Sequence, residues 1–292
     1  MVECVIFGGL LLDKYFELEE LPERGQDGFI NNEFECVGGC SVNMAATFNN
    51  LGGEAHIVSY IGKDKIGQTI INYMNTHHLS TRYIMQKEGA TGYCIVLLEA
   101  DGERTFLTKV GMELDFSKEI VSDGLNDIKY AAVTGYFLLN DGVEEIMQVL
   151  EDFHKRGGFI LFDPSPLVGS IDRDILMRMV YISNIVTPNT GEFEEIKEWV
   201  DDEKIVILKR GGHGGTVYGK NCTFHYMPIK VKVIDTTGAG DSFAAGVLFG
   251  LAEGRSLQES VRLGSQTSAI TVGINGPHGF WNINEELKNH FK

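Results

Sequence analysis

The chain has 292 residues, 43% of them apolar and 23% charged, an ordinary globular composition that excludes wholesale disorder and leaves ample material for a core. Its formal charge of −16, from 25 basic and 41 acidic side chains, argues against nucleic-acid or anionic-membrane partners. It does not forbid a phosphate site built from backbone amides. Glycine is the outlier at 35 residues, much of it in doublets, and no Gly-X-Y period suggests collagen.

The cysteines Cys4, Cys36, Cys40, Cys94 and Cys222 include no Cys-x-x-Cys pair, which disfavours a zinc ribbon or a disulfide framework. No apolar stretch approaches the roughly 20 residues needed to span a bilayer. The N-terminus lacks a basic leader, so a cytoplasmic protein is expected.

In chain order, residues 2–8 form a short apolar run ending in glycine and read as a buried strand. The polar stretch after it carries short extended pieces at Phe29-Ile30 and around Phe34 and Cys36. Residues 41–51 read as a helix stopped by Gly52-Gly53, 56–62 as a buried strand, and 66–78 as a helix. Two β-rich runs follow within 91–109, joined around Asp101-Gly102, a hairpin signal. Strand–helix alternation then resumes. Strands are expected at 131–139, 159–165, 184–189 and 205–212, with helices at 142–157, 174–180 and 191–200 between them. A hairpin across 216–234 and helices at 242–254 and 257–273 complete the chain. Such units predict an α/β fold: a doubly wound, mostly parallel sheet with helices on both faces. The β-rich pieces at about 14–36 and 88–113 break the rhythm and suit a small separate sheet. No linker or repeat divides the chain, so 1–292 is expected to be one domain.

Several functional signatures are missing. There is no P-loop, no dinucleotide fingerprint, no nucleophile elbow and no His-Glu-x-x-His pair. The informative segment is Asp235-Thr236-Thr237-Gly238-Ala239-Gly240-Asp241-Ser242-Phe243, which follows an alternating run at 231–234, expected to be a strand, and opens a helix of small and apolar residues. A Gly-Ala-Gly turn at a helix N-terminus offers free amides and the positive dipole end to an anion. Asp241 beside it could take a proton from a hydroxyl attacking a phosphoryl group, or be a plain N-cap. The helix end is expected to lower its pKa.

This segment resembles the C-terminal signature of the ribokinase-like (PfkB) carbohydrate kinases. Val37-Gly38-Gly39-x-x-x-Asn43-x-Ala45 with Leu51-Gly52 resembles the family's N-terminal signature, Asn189-Thr190-Gly191-Glu192 its Asn-x-x-Glu motif, and Lys209-Arg210-Gly211-Gly212-His213-Gly214 its nucleotide-binding Gly-x-x-Gly loop. The motifs stand in the family order, and the resemblance covers roughly 2–280. It implies that the stray β-rich segments form a lid. Asp241 is implied as catalytic base, with the amides of Gly238, Ala239 and Gly240 as anion hole. Asn189 and Glu192 would organise Mg2+, mainly through water, and Lys209, Gly211 and Gly214 would line the ATP site. Asp13, Gly38, Gly39 and Asn43 would hold the acceptor sugar. Some relatives bind a monovalent cation, here K+ near Asp235 and Thr237, and some pair as homodimers through the lid.

Two departures put ribose in doubt. No acid lies within 131–139, and Gly38-Gly39 is followed by Cys40-Ser41-Val42 rather than Lys-Gly. Tyr93, Arg104 and Lys109 of the implied lid could face an acidic acceptor, or be hairpin surface. Besides a sugar kinase, the resemblance leaves open a nucleoside kinase, in which Tyr15, Phe16 or Tyr93 would stack on a base, and an idle sugar-binding regulator.

Overall fold

The computed structural model describes residues 1–122, 124–201, 203–219 and 222–280; the end of the expected domain, 281–292, lies outside the described residues. The chain starts with β1 (Glu3–Phe7), whose alternating side chains already define the layers. Cys4 and Ile6 enter one apolar cluster, and Val5 and Phe7 enter another on the opposite face. This is the two-sided burial of a central parallel strand.

Further strands flank β1: β4 (Glu54–Gly62) and β5 (Ile84–Lys87) on one side, β8 (Tyr130–Thr134), β9 (Phe159–Asp163), β10 (Ile185–Val186) and β11 (Ile205–Lys209) on the other. All of these pair in parallel. The antiparallel strands β12 (Gly215–Gly219) and β13 (Cys222–Tyr226) finish the nine-stranded sheet. Because β4 and β8 lie on either side of β1, the chain reverses its winding there, and ligands of such sheets bind outside the carboxyl ends of the strands at that reversal.

One face is covered by α3 (Val143–Lys155), α4 (Arg173–Ile182) and α5 (Thr190–Ile196). In α3 the stripe Ile146, Met147, Leu150 and Phe153 is fully buried, the spacing that drives such a helix onto a sheet. The other face carries α1 (Cys40–Asn50), α2 (Lys65–Thr76), α6 (Ala239–Ala252) and α7 (Leu257–Val272). α6 is buried nearly all round, and small residues let α7 approach it closely. A methyl group on Gly246 or Gly264 would meet atoms of the facing helix at 2.5–2.8 Å. Phe48 of α1 packs edge-on against Phe249 of α6, with ring centroids 5.3 Å apart.

The second sheet has the order β3-β2-β6-β7, from β2 (Leu11–Leu18), β3 (Asn32–Gly38), β6 (Tyr93–Glu99) and β7 (Arg104–Lys109). The expected hairpin around Asp101-Gly102 is there, joining β6 and β7. The parallel pairing of β2 with β6 joins strands far apart in sequence.

Several expectations fail locally. Phe29-Ile30 forms no strand and is largely exposed. The strand from 131 ends at Thr134, where the chain turns into a 3-10 helix (Gly135–Leu139) instead of running on to 139. At Gly135 even a methyl group would collide with the Pro164 carbonyl, so the backbone is drawn tight against the next loop. The run 231–234 is irregular, with Val233 and Ile234 half-exposed. Ile234 N–H bonds to the Val272 carbonyl at the end of α7 (2.7 Å), so the segment is tied to a helix and not to a sheet. The strand β5 has no counterpart among the expected elements.

Phe48 and Phe249 pack the C-terminal halves of α1 and α6 together, away from the N-terminal ends that carry Asn43 and Asp241. Phe48→Ala is expected to lower the unfolding free energy by about 3–5 kcal/mol in urea titrations; a loss under about 1 kcal/mol would show that the α1–α6 contact is not load-carrying.

Candidate active site

The carboxyl ends of β1, β9, β10 and β11 open onto one cleft, with the small sheet over it. Asp163 closes β9, Lys209 closes β11, and Asn189 follows β10 and bridges to Lys209. Lys209 is tied down by its own N–H to the Pro188 carbonyl (2.8 Å). Its ammonium lies 3.1 Å from both oxygens of Asp163. Burial alone would lower the Lys209 pKa, but the carboxylates of Asp163 and Glu192 outweigh it and hold the group above its usual value. Asp163 is pushed up by burial, with Lys209 opposing. Asp163 had no motif to mark it in the sequence.

The N-terminus of α6 faces the same cleft. Gly238 has φ 74, a left-handed conformation natural to glycine, and a methyl there would lie 1.8 Å from the Pro277 carbonyl oxygen. The first bond of the helix proper is Ser242 N–H to the Gly238 carbonyl (2.9 Å), so the amides of Gly240 and Asp241 precede it and are left for a ligand. The Ala239 amide is partly spent, at 3.3 Å from the Thr236 carbonyl. A methyl on Gly240 would stand 3.4 Å from Lys209 Nζ, which places that ammonium directly beside the helix end.

Asp241 keeps some accessible surface in the cleft, yet protein encloses its carboxyl. One oxygen accepts from Asn43 Nδ2 at 2.7 Å. Burial raises its pKa to about 6, with Asn43, Cys40 and Lys209 pulling down and Asp163 pushing up. This reverses the expected depression: the favourable helix end is outweighed by loss of water. Asp13, on β2, is buried and raised to about 7, by burial first and then by Asp241. The bare backbone of Gly38 accommodates it, since a methyl there would fall 2.0 Å from Asp13 Oδ2. Gly39, with φ 102, lies against the Gly9 carbonyl, where a methyl would come within 2.6 Å. Asp13, Gly38, Gly39, Asn43 and Asp241 are therefore gathered at one point. The thiols beside them are not reactive species: burial pushes Cys36 up to about 12 and Cys40 well above its usual value.

The Asn189 and Glu192 side chains lock into a reciprocal cap at the start of α5, with Asn189 N–H and Nδ2 each donating to Glu192 (2.8 and 2.7 Å) and Glu192 N–H returning a bond to Asn189 Oδ1 (2.9 Å). Gly211 and Gly214 take positive φ in the loop after β11, where Arg210 N–H bonds to the Gly214 carbonyl at 2.8 Å.

Strand register sorts the lid side chains. Asp13 stands opposite Cys36 and Cys94, Cys94 opposite Thr108, and Leu98 opposite Arg104, so Arg104 shares the inward face with Asp13 and Tyr15. Tyr93 and Lys109 face each other on the outer side, where the ammonium groups of Lys14 and Lys109 lie 4.9 and 5.6 Å from the Tyr93 ring centre. Neither Tyr93 nor Lys109 points at the cleft. Arg104 is no surface charge: it donates to Asp235 Oδ1 at 2.7 Å, with both side chains nearly buried. Asp235 also accepts from the amides of Thr237 (2.8 Å) and Gly276 (3.0 Å). Sequence reasoning also missed His278, which lies 2.8 Å from Asn43 Oδ1. Tyr136, whose hydroxyl burial pushes up, lies near Asp241.

The comparisons with known proteins bear on the family and the fold. The model of the pfkB family carbohydrate kinases matches residues 3–281. The uncharacterized sugar kinase YegV of Escherichia coli (strain K12) is 31% identical over 292 residues, 93% of this chain and 89% of its own length. A ribokinase of Lactococcus lactis is 25% identical, over 96% of this chain and 93% of its own. Among solved structures, a Burkholderia thailandensis nucleoside kinase in complex with inosine superposes with a TM-score of 0.85 at 23% identity, covering 99% of this chain and 98% of that one, a likeness of fold. With its motifs, its two-sheet architecture and a match over nearly its whole length, the chain belongs to the pfkB family of carbohydrate kinases, phosphotransferases with hydroxyl acceptors.

Proposed function

We propose that the protein transfers the γ-phosphoryl group of Mg-ATP to a hydroxyl of a small sugar or sugar derivative, with Asp241 as the base. The observation that carries this reading is the placement of Asp241 at the mouth of a helix whose first amides face the same cleft, with its pKa raised to about 6. A carboxyl of that strength is ionised at neutral pH and is a better proton acceptor than an ordinary aspartate. As the acceptor oxygen bonds to the γ-phosphorus, its proton passes to Asp241 and the bond from phosphorus to the ADP oxygen breaks. The phosphorylated product and ADP leave, and the proton returns to water. The amides of Gly238, Ala239 and Gly240, that of Asp241 and the ammonium of Lys209 stabilise the charge on the phosphoryl group in flight, the Ala239 amide contributing least.

ATP lies along the loop of Lys209, Gly211 and Gly214. Both Glu192 oxygens are already held by Asn189, and among the described residues no group of three or more His, Cys, Asp or Glu could hold a metal. With that arrangement Asn189 and Glu192 would hold Mg2+ through water, and the ion would supply neutralisation of phosphate charge. A K+ ion beside Asp235 and Thr237 fits less well, since Arg104 already brings a positive charge to Asp235. On the acceptor side, Asp13, Asn43 and the backbone of Gly38 and Gly39 are joined by the buried Tyr15 hydroxyl, which has no hydrogen-bond partner among the described residues and suits a substrate oxygen. Tyr15 also stacks on Phe34 (4.5 Å, 7°) under the lid, which favours a nucleoside as a second reading. On the outer face of the small sheet the edge strand β7 exposes Leu107, opposite Ile95, a position suited to contact with a second copy of the chain.

The deciding experiment is an ADP-release screen with Mg-ATP over pentoses, ketoses, sugar acids, sugar phosphates and nucleosides, including ribose and inosine. Binding of sugars without ADP release from any acceptor would favour a non-catalytic binder. Asp241→Asn should fold and bind nucleotide while kcat falls roughly 10²–10⁴-fold, and kcat/KM of the wild type should fall as pH drops through about 6, where Asp241 takes up its proton. Near-normal turnover by that variant removes Asp241 as the base. Turnover should be the same in potassium and choline chloride at equal ionic strength, with Arg104→Met introducing a dependence on K+; a potassium requirement in the wild type would refute the role given to Arg104. Sedimentation should show a dimer that Leu107→Glu dissociates, and a monomeric wild type would dispose of pairing through the lid.

A further inference from the structure

The hydrogen bonds around Asp241 continue beyond Asn43 into groups that phosphoryl transfer does not itself use. Asn43 Nδ2 donates to Asp241 at 2.7 Å, while Oδ1 of the same amide lies 2.8 Å from His278 Nδ1. The other ring nitrogen, Nε2, is 2.6 Å from the Tyr73 hydroxyl. An amide oxygen only accepts, so His278 carries its proton on Nδ1; Nε2 of the neutral ring then accepts, and Tyr73 donates. Every link has a single permitted direction, from Tyr73 to His278 to Asn43 to Asp241. The residues come from α2, the segment after α7, α1 and α6, so the chain of bonds ties four parts of the fold to one carboxylate. The ring is held neutral, its pKa pushed down to about 4 by burial and then by His77. Phe280 stacks on His77 (4.0 Å, 4°) and meets His278 edge-on, which closes the apolar surroundings of the imidazole.

An asparagine amide is nearly symmetric in shape but not in polarity. Turned over, Asn43 would set its oxygen against the Asp241 carboxylate and its NH2 against the Nδ1–H of His278; the second clash would be relieved only by moving the ring proton to Nε2 and turning Tyr73 from donor to acceptor. We propose that His278, oriented by Tyr73, is a positioning residue that fixes the Asn43 amide with its N–H toward Asp241 and so aims the carboxylate at the acceptor hydroxyl. The proposal rests on Asp241 being the base. The other charged and titratable groups facing Asp241 are Cys40 from α1, Asp13 from the lid, Tyr136 from the 3-10 helix after β8, Asp163 from β9 and Lys209 from β11.

The test compares His278→Leu with His278→Asn, whose amide nitrogen falls near the position of Nδ1. With the acceptor found in the ADP-release screen, the Leu variant should lose about 10-fold in kcat with the KM for Mg-ATP unchanged. The acid limb of its kcat/KM profile should move upward in pH, because Asp241 loses an N–H that favours its charged form. The Asn variant should restore most of both. A Leu variant with wild-type kcat and acid limb, or Leu and Asn variants equally impaired, would overturn the proposal. A readout that needs no acceptor is the 15N spectrum of the wild-type histidine side chains at pH 6: the neutral Nδ1–H form of His278 is expected, and the Nε2–H or doubly protonated form overturns it. This measurement and the Asn variant also decide the matter if the Leu variant does not fold. Turnover by Asp241→Asn would sink the base and the relay together; an inactive Asp241→Asn beside an unaffected His278→Leu would sink the relay alone.

Discussion

The site depends on keeping the first turn of α6 bare and in place inside the protein. Free amides are ready donors, but burying them without partners is costly, and a helix end would ordinarily be capped or wetted. Here the turn is anchored from the sides. Ser242 Oγ lies 3.0 Å from Thr47 Oγ1 and 2.7 Å from Thr271 Oγ1, and Thr267 Oγ1 donates to the Ser242 carbonyl at 2.7 Å. These hydroxyls fix the helix without drawing on the amides ahead of Ser242, so the donors stay available and preorganised. α1 and α7 thus serve as much to hold α6 still as to cover the sheet.

The same enclosure raises the carboxyls. Asp13 and Asp241 have folded-state pKa values of about 7 and about 6, above the unfolded value of 3.8. The folded state therefore holds their protons more tightly than the unfolded chain does. Their contribution to stability is fully present below pH about 4 and is lost as pH rises through those values. At working pH each buried charge costs on the order of a few kcal/mol, offset by the packing of the two cores. The stability withheld here is the counterpart of a reactive base.

Much of this was legible in the sequence because it was local. Strand–helix rhythm, the Asp101-Gly102 hairpin and the four glycine-bearing motifs each occupy a short window, and the fold brings their residues to one cleft as the family resemblance implied. What escaped was long-range or single-residue. Arg104 meets Asp235 across the gap between lid and helix, and Asp163, Tyr73 and His278 sit in segments that otherwise read as strand end, amphipathic helix and tail. The alternation at 231–234 misled: Val233 and Ile234 are half-exposed, and the backbone there is tied to the end of α7. The sign of the Asp241 shift was also out of reach: the helix end is visible in sequence, while the enclosure that outweighs it comes from elements throughout the chain.

The opening abundance of glycine has a consequence for how this protein fails. At Gly38 and Gly238 the nearest atoms to a new methyl group are the Asp13 carboxylate at 2.0 Å and the Pro277 carbonyl at 1.8 Å. These positions are injured by the gain of a side chain, not by its removal. A mutational scan built on truncation, which reads importance from what is cut away, would pass over the donors of the anion site entirely, because a backbone amide has no side chain to delete. The genetic signature of a damaged site would instead be glycine codons changed to almost anything else.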